Sequence, residues 1–104
     1  MSVEKAWYEK ESLDVVLECQ ENARPNEMID VTVKVMRDGK MYPLNHQYIV
    51  DAIDGYSPYN RVDVVNGVGK FKMQALYLKS GEKMTFKLND GFYTSKSEKT
   101  VNIF

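Results

Sequence analysis

The 104-residue chain carries fourteen Lys and Arg against fifteen Asp and Glu, a net charge of −1. That balance supplies no electrostatic footprint for nucleic acid or an anionic membrane, so neither is an expected partner. With 43% hydrophobic and 12% aromatic residues, the composition is that of a folded chain, and the length suits one domain over residues 1–104.

Val3, Trp7 and Tyr8 fit a helical face and an edge strand equally well, and residues 1–11 are read as a loosely attached N-terminal segment. No run there has the apolar length of a signal peptide, and none elsewhere could cross a bilayer, so synthesis in the cytoplasm is the expectation. Cys19, the one cysteine, excludes an intrachain disulfide.

From Leu13 the period is two. Leu13, Val15, Leu17 and Cys19 share one side, while Asp14, Val16, Glu18 and Gln20 share the other, the alternation of a half-buried strand. Glu21 to Glu27 is polar, contains Pro25 and reads as a loop. Ile29, Val31, Val33 and Val35 then alternate with Asp30, Thr32, Lys34 and Met36, the clearest strand of the chain.

Asp38-Gly39 predicts a tight turn, because both positions tolerate positive φ, with the next strand pairing back antiparallel. Met41 to Val50 supplies that strand, with an irregular start at Pro43, which has no amide to give to a ladder. Asp51 to Asn60 is dense in turn formers and predicts the longest ordered loop. Arg61 to Val65, the turn Asn66-Gly67, and a strand from Val68 follow. That last strand sets Phe71, Met73, Ala75 and Tyr77 inward against Lys70, Lys72, Gln74, Leu76 and Leu78. After Lys79 to Glu82 turns the chain, Met84, Phe86 and Leu88 share a face; Asn89-Asp90-Gly91 makes another turn, and Val101 and Ile103 mark the last strand.

About seven strands joined by turns, with no repeated strand-helix unit, predict an all-β fold: two antiparallel sheets packed face to face, with a small barrel as the competing closure. Either would bury Phe71, Tyr77 and Phe86, with Trp7 or its neighbours.

Chemistry is sparse. His46 shares parity with Leu44, Tyr48 and Val50, which predicts a structural histidine. A Cys19–His46 nucleophile pair would need an exposed, low-pKa thiol, against the inward parity of Cys19. Asp51, Asp54 and Asp63 lack the spacing of a calcium loop and read as turn residues. No metal or cofactor signature is present, and no enzyme is expected. Lys70, Lys72, Lys79, Lys83, Lys87, Lys96 and Lys99 fill positions that must be polar on solvent-facing strands.

The candidate interaction residues are aromatic. Tyr56, Tyr59 and Asn60 lie in the loop Gly55-Tyr56-Ser57-Pro58-Tyr59-Asn60, where exposed tyrosines give contact area at low entropy cost; folding down as a cap on the end of the fold is the equal alternative. Trp7 and Tyr8 form a second candidate, within a strand that could augment a neighbour.

Val64 to Phe71, Leu78 to Phe86, Lys99 to Ile103, and Arg37 to Lys40 followed by Pro43 together resemble the strands and turns of bacterial immunoglobulin-like domains of the invasin and intimin type. The resemblance implies an immunoglobulin-like antiparallel β-sandwich of about seven strands. It also implies a non-enzymatic structural or binding module with protein partners or self-association. Such domains occur in surface adhesins and in tailed-phage virions; the initiating Met1 and the lack of a visible export signal point to the phage virion, as capsid decoration or tail. A surface-adhesion or carbohydrate-binding domain is the alternative. The resemblance carries no catalytic residue.

Overall fold

The computed structural model describes residues 13–89 and 97–104. Its described residues are all β, with nine strands in two sheets. They are β1 (Asp14–Glu18), β2 (Asn22–Ala23), β3 (Met28–Arg37), β4 (Lys40–Met41), β5 (His46–Ala52), β6 (Arg61–Val64), β7 (Val68–Gln74), β8 (Lys83–Asn89) and β9 (Lys99–Ile103). Two of the additions to the expected seven, β2 and β4, are only two residues long. The expectations over Trp7, Tyr8 and the Asp90-Gly91 turn fall outside the described residues.

The first sheet is built on β3. β1 pairs antiparallel with one side of it, Val15 opposite Val35 and Leu17 opposite Val33. Along the other side β7 pairs with Met28 to Lys34, and β4 with Met36 and Arg37. The Val35 amide donates to Gly67 O and its carbonyl accepts from Tyr42 N, so β7 and β4 lie end to end on that side. The second sheet runs β2-β9-β8-β5-β6. All its pairings are antiparallel except β2 with β9, which is parallel.

Alternation decides what lies between the sheets. Val15, Leu17, Ile29, Val31, Val33, Val35, Phe71 and Met73 from the first sheet are buried in one cluster with Tyr48, Val50, Val62, Val64, Met84, Phe86, Leu88, Val101 and Ile103 from the second. Phe71 and Phe86 meet edge to face, ring centroids 5.9 Å apart, the geometry the ring quadrupoles favour. Where β9 has not yet joined β8, Ser97 takes the place of a strand: its buried hydroxyl donates to Leu88 O at 2.8 Å and accepts from Leu88 N at 3.1 Å.

Both tight turns form, yet neither makes a long hairpin. β4 pairs back on β3 for two residues and Tyr42 N adds a bond to Val35 O, after which Pro43 to Asn45 cross over and β5 enters the other sheet. The irregular start at Pro43 is this crossing. Similarly, Val65 pairs with Val68 across Asn66-Gly67, then β6 joins one sheet and β7 the other. The buried branched side chains on both strands drive this separation, since each strand has a core face to cover.

Tyr77 corrects the expectation of a buried ring. The β7 ladder ends at Gln74 and Tyr77 sits in the following turn at φ +62°, 89% exposed. The period of two that put it inward stops with the strand, and Leu78 packs against the core instead. Cys19 lies one residue beyond β1 and is only partly buried against the core.

Gly69 marks the point where β6 and β7 part. A Cβ there would stand 2.9 Å from Asp63 O and 3.1 Å from a methyl of Val62 and of Val64. The contact with a backbone carbonyl cannot be relieved by a rotamer change. Gly69→Ala is therefore expected to destabilise the fold by about 1–3 kcal/mol, lowering Tm by at least about 4 °C in a thermal melt; an unchanged Tm would show that β6 is free to retreat.

Candidate functional site

The loop from Ile53 to Asn60 runs from the second sheet to the first, held by backbone at each stage. Ile53 N and Asp54 N both donate to Thr85 O on β8, at 3.0 and 2.9 Å. Tyr56 then exchanges both of its backbone hydrogen bonds with Gln74 at the end of β7, at 2.9 and 2.6 Å. Gly55 makes the passage possible: it adopts φ +82°, and a Cβ would lie 2.7 Å from Met84 Sδ and 2.8 Å from Gln74 O. Only glycine meets both demands.

Ser57 fixes the next stretch. Its hydroxyl lies 2.6 Å from Tyr59 O and 2.8 Å from Lys72 O, two acceptors for one proton, and it accepts from Tyr59 N at 3.3 Å. Asn60 O accepts from Val50 N at 2.9 Å, which returns the chain to β5. The side chains of Tyr56 and Tyr59 remain 48% and 54% exposed.

Tyr59 borders an open groove of about 470 Å³ on the outer face of the first sheet, with Asp30, Thr32, Lys70, Phe71 and Lys72 as its other walls. The β3–β7 register places Asp30 opposite Lys72 and Thr32 opposite Lys70. Lys72 Nζ donates to Asp30 Oδ1 at 2.8 Å. That bond, followed by the ammonium charge, holds the Asp30 carboxyl below its usual range, and reciprocally raises Lys72, to which Tyr59 adds a smaller contribution. Lys70 has no ion pair among the described residues. The groove thus offers an aromatic side chain, the Lys70 ammonium, whose charge also acts on Asp30, and a threonine hydroxyl.

A second groove, about 540 Å³, lies at the β2–β3 connection, lined by Gln20, Asn22, Arg24, Pro25, Asn26, Glu27 and Phe104. The Arg24 guanidinium stands 5.9 Å from the centroid of the exposed Phe104 ring. Glu27 organises the connection: it accepts from Arg24 N at 2.8 Å and from Gln20 Nε2 at 3.0 Å. Those two bonds, the backbone one first, hold its carboxyl low.

Other residues singled out in the sequence are not brought together. His46 packs edge to face on Tyr48 at 4.9 Å and pairs with Val64, while Cys19 is flanked by Lys99 and Glu21, with burial pushing its thiol up. Asp63 accepts from Gln47 Nε2 at 2.9 Å, and Asp51 and Asp54 join no cluster: among the described residues no three His, Cys, Asp or Glu side chains meet so as to hold a metal ion. No helix among them is long and apolar enough to cross a membrane. Lys70 and Lys72 occupy the solvent-facing strand positions expected from the alternation, but their placement beside Tyr59 and Asp30 depends on a register between strands some forty residues apart.

The lowered carboxyls predict an acid-sensitive component of stability. A folded pKa below the unfolded one stabilises above the unfolded value, here 3.8 for Asp30 and 4.5 for Glu27, and that stabilisation is lost as pH falls through the folded value. The drop in Tm between about pH 7 and pH 3 should therefore be smaller for Asp30→Asn plus Glu27→Gln than for the unmodified chain; equal drops would show that neither carboxylate contributes. Compared with known proteins, the chain matches no family model, no curated protein and no solved structure.

Proposed function

We propose that the chain is a non-enzymatic structural or binding module of immunoglobulin-like type that docks a protein partner through Tyr56, Tyr59 and Asn60. The observation that carries the reading is the combination of exposed tyrosine rings with a backbone bonded to both sheets. A loop ordered before binding loses little entropy on contact, and tyrosine supplies wide amphipathic area with few torsions.

The strand order supports the immunoglobulin-like part. β1, β3 and β7 stand where strands A, B and E stand in that fold, and β5, β8 and β9 where C, F and G stand, with β6 in the C′ position. The non-enzymatic reading is supported by a thiol pushed up rather than down and by a histidine engaged with Tyr48. The setting proposed is a virion, with the module as capsid decoration or tail component assembled from the cytoplasm. One observation favours a second reading, carbohydrate binding on an adhesin: the exposed ring of Tyr59 sits beside the hydrogen-bonding groups of Asp30 and Thr32.

Mass measurement on material purified from the natural source, with mass spectrometry of what accompanies it, would identify the partner. Tyr56→Ala plus Tyr59→Ala should then weaken binding of that partner by about 10- to 100-fold with the melt unchanged. Unaltered affinity would overturn the loop assignment. Retention on a glycan surface that Tyr59→Ala abolishes would favour the carbohydrate reading instead.

A further inference from the structure

The outer faces of the two sheets differ in kind. Among the described residues the five strands of the second sheet leave one large apolar side chain well exposed, Ile49 at 46%; the first sheet exposes Val16, Met28, Met41 and Val68, at 37–46% each. Val16 and Met41 also border a shallow depression of about 310 Å³ with Glu18, Lys34 and Met36.

Charge on this face is graded from edge to edge. The registers place Glu18, Thr32 and Lys70 in one row across β1, β3 and β7, and Val16, Lys34 and Val68 in the next. β1 thus presents two carboxylates, Asp14 and Glu18; β3 presents one of each sign, Asp30 and Lys34; β7 presents two ammoniums, Lys70 and Lys72.

Such a face is its own complement. A half-turn about an axis lying in the face along β3 sets β1 of one copy over β7 of another. Glu18 then meets the other copy's Lys70, and Val16 meets the other copy's Val68, each contact occurring twice. Lys34 and Asp30 both lie on the axis strand; Lys34 is drawn toward β1 by its 2.9 Å ion pair with Glu18 and Asp30 toward β7 by its 2.8 Å pair with Lys72, and the same half-turn draws their counterparts to the opposite sides. Packing β1 on β1 would instead oppose Asp14 and Glu18 to carboxylates.

We propose that this face binds a second copy of the chain in a two-fold dimer. Three strands about 4.8 Å apart and roughly seven residues long cover on the order of 300 Å² per copy, well below the standard interface size of about 1,600 Å² in total. The dimer is accordingly weak and forms at high local concentration. Its rows reach the Tyr59 groove through Lys70, but its test uses the purified chain alone and leaves Tyr56 and Tyr59 unchanged, so its failure is distinguishable from failure of the docking reading.

Sedimentation velocity over roughly 10 µM to 1 mM, the regime of weak contacts, should show a monomer-to-dimer shift that diminishes as salt screens the ion pairs. Glu18→Lys and Lys70→Glu should each reduce association at least about tenfold. Mixed in equal amounts they should associate again, because in the mixed dimer both contacts between positions 18 and 70 regain opposite charges. Val16→Lys, which leaves the Glu18–Lys34 pair in place, should abolish the dimer by itself and serves if Glu18→Lys fails to fold by circular dichroism. A chain monomeric throughout overturns the proposal, as does a dimer indifferent to these substitutions or one that the mixture of folded variants does not restore.

Discussion

The meeting of the two sheets across Phe71 and Phe86 is the contact on which everything else is arranged. Neither sheet could stand alone, because each carries a row of apolar side chains down one face, and only stacking removes both rows from water. The rows come from strands far apart in sequence, so the stacking also dictates the path of the chain. β4 and β6 end as soon as the next strand is needed on the opposite layer. The crossings at Pro43 to Asn45 and at Asn66-Gly67 are consequences of that demand.

The same constraint explains which parts of the fold were legible in the sequence. Val31, Val33 and Val35, or Met84, Phe86 and Leu88, announce strands by alternation alone, and the structure buries all of them. Asp38-Gly39 and Asn66-Gly67 announce turns with equal clarity, with Asp38 and Asn66 both at positive φ. What alternation cannot convey is the layer to which a strand goes, since a turn has the same local chemistry whether its arms stay together or separate. Tyr77 shows the complementary limit: parity has meaning only while the ladder lasts, and the end of β7 is set by pairing with Met28, not by any residue near Tyr77.

The candidate site was half legible. Tyr56 and Tyr59 stand out because aromatic residues among turn formers are unusual, but their exposure depends on Thr85, Gln74 and Lys72, all distant in sequence, as the holders of the loop. The lysines of β7 stand out less, as solvent-facing strand positions are ordinarily charged. Their significance lies in rows formed with β1 and β3, and rows exist only once register is fixed. The outer face of the first sheet therefore reads as a pattern in two dimensions that the linear sequence contains only in separate columns.

The parallel pairing of β2 with β9 brings Ala23 beside Ile103, residues from near opposite ends of the described chain. Contacts of such long sequence separation close late, because chain entropy must be overcome before they return any stabilisation. During synthesis β1 to β8 emerge before the partner of β2 exists, and β8 waits with one edge unpaired until Met84 can meet Val101. The last few residues thus complete a seam opened by the first strands, and the interval before they arrive is when an exposed β8 edge is most open to pairing with a neighbouring chain.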